Sequence, residues 1–252
     1  LDITLNKQEE SISGSKDNLP EIKNVAANGQ VFGLFTQGET TIGDTVIPSE
    51  SLVATTTVKD GKAEFGAIQL PEGYYYVKEL DAGEKHDLNT TMYGFHFHTT
   101  DNEKIKHIDL NDSKVINNKL HENELSFKKI NEVATLVSGK GYSYAITGNA
   151  AGAIFELLDA DKKVIQTITV GKDSIGSIKH LPVGTFYLRE SKPSATNLVL
   201  SKETLKLVST KDGVTVFDSK DKQIGETKAD TKKPTIAFEL TNELIKDTGE
   251  LT

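Results

Sequence analysis

No cysteine occurs among the 252 residues of this chain. Disulfides and cysteine-ligated metal sites are thereby excluded, so a protein of this kind working outside the cytosol must hold itself together by other means. Tryptophan is absent too, and methionine occurs once. There is no run of about 18 apolar residues, the length a membrane-spanning helix needs. An excess of positive charge is also missing. The formal net charge is −8 and the sequence pI about 5.3. A nucleic-acid partner calls for a basic face, so none is expected. No initiator methionine and no basic-then-apolar leader stand at the start, and Leu1 reads as a mature or trimmed beginning. No stretch holds a 3.6-residue apolar period for three turns, which argues against helices. No nucleophile–histidine–acid set, phosphate-cradling loop or nucleotide fingerprint is present. Neither turnover chemistry nor a cofactor is expected.

What is present is short alternating runs of Val, Ile, Thr, Tyr and Phe. They are punctuated by turn signals such as Asn28-Gly29, Asp60-Gly61, Pro71-Glu72-Gly73 and Asp212-Gly213. Strands at this density predict antiparallel sandwiches. The chain also repeats itself. Leu70-Pro71-Glu72-Gly73 leads into Tyr74-Tyr75-Tyr76-Val77-Lys78-Glu79, and Leu181-Pro182-Val183-Gly184 leads into Thr185-Phe186-Tyr187-Leu188-Arg189-Glu190. Gly29–Phe35 resembles Gly152–Leu158 in the same way. So long a period implies a duplicated domain rather than a solenoid. The expected domains are residues 1–121 and 122–252, joined by the short stretch Lys119–Glu124. A linker that short limits relative motion and would string the domains end to end.

Each half places an ionisable or amide residue on the apolar face of three strands. Side chains on a strand alternate faces with period two. In the first half Ile3 and Leu5 are followed by Lys7, Tyr75 and Val77 by Glu79, and Ile116 by Asn118. In the second half Leu125 and Phe127 are followed by Lys129, Phe186 and Leu188 by Glu190, and Phe238 and Leu240 by Asn242. Asn117 is a second candidate amide, but strand parity favours Asn118. One buried lysine on a strand is ordinarily a snorkelling side chain, and one glutamate an ion-pair partner. An unpaired buried charge is costly, and the same three residue types in the same order twice call for a common cause. A self-made Lys–Asn isopeptide bond supplies one, with Glu79 and Glu190 handling protons. Burial lowers a lysine pKa and so frees the nucleophilic amine, and it favours the neutral form of a carboxyl. A protonated carboxyl can hydrogen-bond the amide oxygen and then carry a proton to departing ammonia. Folding sets amine against carbonyl at an effective molarity that can reach about 10^5 M. The reaction runs once per domain. For about 100 enclosed residues such a link is worth roughly 4.7 kcal/mol by the loop-entropy model.

The Leu-Pro-x-Gly-x-aromatic-x-aliphatic-x-Glu segment resembles the glutamate-bearing box of the Cna B-type (SpaA-type, prealbumin-like) domains of Gram-positive surface proteins and pilins. Leu125–Asn131 resembles their first strand with its reactive lysine, Ala151–Leu157 the segment after it, and Leu240-Thr241-Asn242 the last strand with its asparagine. The second half matches closely and the first more loosely. The resemblance implies an all-β chain of two tandem Ig-like (Cna B-type, prealbumin-like) sandwiches. It also implies an extracellular, cell-wall-anchored pilus setting, with other pilin subunits and, through sortase, peptidoglycan as partners. A Val-Tyr-Pro-Lys segment, the pilin motif of shaft subunits, is missing. Leu19-Pro20-Glu21 and Leu70-Pro71-Glu72 begin like sorting signals but lack the Thr-Gly that would follow, and read as turns. A sorting signal is expected beyond Thr252. These departures point to a minor pilin, basal or ancillary, and not a shaft subunit. The alternative is an adhesin that binds a host-cell surface protein or glycan.

Remaining motifs carry blander readings. His96 and His98 share one face of a strand, as a metal pair would, yet Phe95 and Phe97 take the core side, so exposed histidines are expected. Asp159–Lys163 lacks the glycine and distal glutamate of a calcium loop and reads as a hairpin turn. Tyr74 and Tyr76 are expected to face outward, opposite Tyr75. Residues 134–150 read as a polar loop suited to recognition.

Overall fold

The computed structural model describes residues 1–17, 19–99, 106–111, 114–229 and 235–246. Residues 247–252, the end of the expected second domain, lie outside that set. Every regular element among the described residues is a strand, and no helix is long and apolar enough to cross a membrane. The chain divides into two compact units. The first comprises Leu1–Ile12 and Ile22–His121, the second Ser13–Glu21 and Glu122–Thr252.

In chain order the strands of the first half are β1 (Asp2–Lys16), β2 (Leu19–Ala26), β3 (Val31–Thr36), β4 (Thr40–Ile42), β5 (Thr45–Ile47), β6 (Leu52–Thr57), β7 (Lys62–Ala67), β8 (Gly73–Asp81), β9 (Tyr93–Phe97), β10 (His107–Asp109) and β11 (Val115–Asn118). One sheet runs β10-β1-β11, with β2 and β7 also paired to β1. A second runs β6-β3-β8-β9, and β4 and β5 form a separate hairpin. The alternation of Ile3, Leu5 and Lys7 puts all three inward. Ile3 and Leu5 meet Phe32, Leu34, Tyr75 and Val77 of the second sheet in one core.

The second half holds β12 (Glu122–Val137), β13 (Gly141–Asn149), β14 (Ile154–Leu158), β15 (Val164–Thr169), β16 (Ile175–Pro182), β17 (Gly184–Lys192), β18 (Thr204–Thr210), β19 (Gly213–Phe217), β20 (Gln223–Lys228) and β21 (Ile236–Asn242). One sheet runs β13-β12-β16 with β21 on β12, and the other β15-β14-β17-β18-β19-β20. Leu125, Phe127, Ile178 and Phe238 of the first face Phe155, Leu157, Phe186, Leu188, Leu205 and Leu207 of the second across a single apolar layer. Both units are β-sandwiches, so the chain is all-β.

Two sequence expectations are corrected and a third is refined. Residues 134–150 are no loop, because β12 and β13 continue as a paired hairpin from Ile130↔Asn149 to Val137↔Gly141. Most residues of β13 are exposed on both faces, so no hydrophobic alternation marks it. Tyr76 faces outward as expected but is covered there: it lies opposite Phe35 on β3 and stacks on that ring at 5.2 Å, whereas Tyr74 is 61% exposed. Leu19-Pro20-Glu21 opens β2 instead of forming a turn.

Candidate functional site

The first and last strands of each half pair in parallel, which places the lysine and asparagine. Lys7 stands opposite Ile116 and Glu9 opposite Asn118. Lys129 stands opposite Leu240 and Asn131 opposite Asn242. Each asparagine is therefore one same-face position, two residues or about 6.6 Å, further along than its lysine. A lysine side chain leaning along the strand covers that distance. Lys7 Nζ donates to Asn118 Oδ1, and Lys129 Nζ donates to Asn242 Oδ1. The glutamates come from the opposing sheets, Glu79 on β8 and Glu190 on β17. All six side chains are buried, with Lys7 1% and Lys129 0% exposed.

In both sites one carboxylate oxygen stands between the two nitrogens. Glu79 Oε1 lies 3.7 Å from Lys7 Nζ and accepts from Asn118 Nδ2 at 2.8 Å. Glu190 Oε1 lies 3.4 Å from Lys129 Nζ and accepts from Asn242 Nδ2 at 2.8 Å. The other oxygen is held by a backbone N–H, that of Asn89 on Glu79 Oε2 at 2.8 Å and that of Ser201 on Glu190 Oε2 at 2.8 Å. These two donors were invisible in the sequence, since any residue supplies a backbone N–H. Burial holds both lysines below the ordinary ammonium value of 10.5, and the neighbouring carboxylate opposes that shift without cancelling it. The Phe155 ring centroid sits 5.6 Å from Lys129 Nζ and helps keep the site apolar.

The arrangement differs from the sequence expectation in one respect. Each glutamate meets the amide nitrogen, not the amide oxygen, which instead takes the lysine. The carboxylate is thus placed on the path from nucleophile to leaving group. Asn117 is half-buried, and among the described residues no hydrogen-bond partner reaches its Oδ1.

The other motifs lie elsewhere. His96 and His98 are exposed; His96 stacks on Tyr74 at 4.3 Å, and His98 Nδ1 lies 3.5 Å from Glu72. Among the described residues no group of three or more His, Cys, Asp or Glu could hold a metal ion. The Asp159 carboxylate accepts the N–H groups of Asp161 and Lys163, both at 2.9 Å, and so closes the turn between β14 and β15.

Residues 146–223 match the family described as SpaA, prealbumin-like fold domain. The matched stretch contains Glu190, while Lys129 and Asn242 flank it on either side. No curated protein matches the chain. Among solved structures the Bacillus anthracis TIE protein is similar over 97% of this chain, at 16% identity and a TM-score of 0.56. The chain spans 34% of that protein's chain, and the likeness is one of fold. The minor pilin GBS52 of Streptococcus agalactiae is 16% identical over 100% of this chain and 99% of its own, with a TM-score of 0.34. A C-terminal fragment of the pilus adhesin SpaC from Lactobacillus rhamnosus GG is 14% identical over 98% of both chains, with a TM-score of 0.48.

Proposed function

We propose that this chain is a structural minor pilin of a Gram-positive surface pilus, and that each of its two domains, 1–121 and 122–252, staples itself with a Lys–Asn isopeptide bond. The observation that carries the reading is the carboxylate oxygen between lysine and asparagine, repeated in both halves. The neutral lysine amine attacks the asparagine Cγ, the C–Nδ2 bond breaks, and one amine proton passes by way of Glu79 or Glu190 to Nδ2. Ammonia leaves and a secondary amide remains. No electrons are exchanged, and the carboxyl ends as it began. The reaction makes one bond per domain and does not turn over, so the chain is no enzyme in the usual sense. The bonds join Lys7 to Asn118 and Lys129 to Asn242. Other pilin subunits and, through sortase, peptidoglycan are its partners on the cell wall.

The reading is tested in the bacterium that makes the protein. Chain recovered from wall digests should run in detergent-resistant ladders with other pilins, and deleting its gene should release or deplete wall-attached pili. Chain found free, with pili unchanged by the deletion, would contradict the role.

One observation favours an adhesin as a second reading. The β12–β13 hairpin exposes Leu136 (69%), Tyr142 (63%), Tyr144 and Ile146, the kind of side chains that anchor interfaces. Saturable binding to host cells or matrix that is lost in Tyr142→Ser/Tyr144→Ser, yet kept in Lys129→Ala, would support it.

A further inference from the structure

The asparagines occupy an exposed place in the ladder. Glu9↔Asn118 is the last pair of β1 and β11, and Asn131↔Asn242 the last of β12 and β21. Strand ends fray first, and in-line attack tolerates little displacement: misplacement by about 1 Å can cost about 10²-fold in rate. The residue that must be held still therefore sits where the backbone pairing stops.

In both halves the next residue of the first strand is a glutamate, and its carboxylate takes over from the ladder. Glu10 Oε2 accepts the backbone N–H of Leu120 at 3.0 Å. Glu132 Oε2 accepts that of Leu244, also at 3.0 Å. Each contact joins the third residue after the lysine to the second residue after the asparagine. Glu132 is nine-tenths buried, and its Oε1 also accepts Lys246 Nζ at 3.0 Å. Glu10 is fixed from its own backbone, where its carbonyl accepts from His86 Nε2 at 2.7 Å.

The far side of the same segment is tied in an equally repeated way. Asp87 N–H bonds Lys119 O at 3.0 Å and His121 N–H bonds Lys85 O at 2.8 Å. Val199 N–H bonds Glu243 O and Ile245 N–H bonds Asn197 O, both at 2.8 Å. Two residues beyond Asp87 and Val199 stand Asn89 and Ser201, whose N–H groups hold the catalytic carboxylates. Lysine strand, asparagine tail and glutamate loop thus form one closed frame.

We infer that Glu10 and Glu132 are positioning residues for isopeptide formation, clamping the tail beyond the asparagine so that its Cγ is presented to the lysine amine. The inference rests on the isopeptide reading above. Neither glutamate touches the reacting atoms. What the clamp requires is an acceptor oxygen at that place.

The test uses full-length chain collected in denaturant before it has folded, then diluted into buffer. Peptide mass spectrometry follows the two crosslinks separately in the same molecules, so each site serves as control for the other. In Glu132→Ala the Lys129–Asn242 crosslink should form about tenfold or more slowly, while Lys7–Asn118 keeps its wild-type rate. Glu10→Ala should do the reverse. Glu132→Gln keeps an amide oxygen and should restore a near-wild-type rate, which a requirement for charge alone would not. Circular dichroism reports folding in parallel, and if Glu132→Ala does not fold, Glu132→Gln and the less buried Glu10→Ala carry the test. An unchanged crosslink rate in folded Glu132→Ala or Glu10→Ala overturns the clamp while leaving the isopeptide bonds standing. A Glu132→Gln rate as slow as that of Glu132→Ala overturns the acceptor role. Wild-type chain with neither crosslink overturns the isopeptide reading and this inference with it.

Discussion

In the proposed reaction, protonation of the buried lysine controls whether either site can react. Burial pushes Lys129 below 10.5, against the pull of Glu190. In the window between that lowered value and 10.5 the unfolded chain binds more protons than the folded, unreacted chain. Stability of the unreacted fold therefore rises with pH there, while the fraction of nucleophilic amine in the fold rises as pH passes through the lowered value. Crosslinking of freshly diluted chain should accelerate as pH rises through the lowered value and level off above it, and a rate independent of pH across the lowered value would contradict the neutral-amine step. The finished amide does not titrate, so the mature protein should lose this dependence. Glu132 gives a slope of the same sign in a more acidic window. The Leu244 N–H and then Lys246 hold its carboxyl below 4.5, so its contribution is present above that value and lost as pH falls through the lowered one. Lys129→Ala and Asn242→Ala should each retain one ammonia. Each should also lose up to roughly 4.7 kcal/mol of loop-closure stabilisation, a drop on the order of 20 °C in Tm. Glu190→Ala should fold and keep both reactants but fail to join them, and a Glu190→Ala chain that crosslinks at the wild-type rate would remove the carboxylate from the mechanism.

At the scale of the element, strand parity placed most of the site. Lysine, glutamate and asparagine each stood at the end of an apolar alternation, and period two alone puts such residues inward. What parity could not reach was the partner across the strand. Tyr76 is on the outer face, and burial by Phe35 depends on pairing that no local pattern announces. The β12–β13 hairpin escaped because strands wet on both faces carry no alternation. Asn89 and Ser201 act through backbone, and Glu10 and Glu132 were legible only as a repeat three residues after each lysine. One element prediction concerns β16. Gly176 lies opposite Phe127, two residues before Lys129, and a Cβ there would enter the Phe127 ring. Gly176→Ala must displace a ring packed on Phe155 at 4.8 Å and Phe238 at 5.3 Å. It should cost about 1–3 kcal/mol, as overpacking does, and slow the Lys129–Asn242 crosslink while sparing Lys7–Asn118. Equal rates at both sites would mean the core absorbs the methyl without moving β12.

At the scale of the whole molecule, a bond between first and last strands encloses nearly an entire domain. Tension entering at one end of such a domain can pass through the covalent link, and no reductant opens it, which suits a chain without a single cysteine. Separately expressed 1–121 and 122–252 should each fold and each lose one ammonia. A half that stays unfolded would contradict autonomous domains. The most direct test of the central claim is the intact mass of the purified wild-type chain, with the crosslinked peptides mapped. The account predicts a mass lower than that of the sequence by two ammonia molecules, with the losses assigned to Lys7–Asn118 and Lys129–Asn242. A mass equal to that of the unmodified sequence would contradict it.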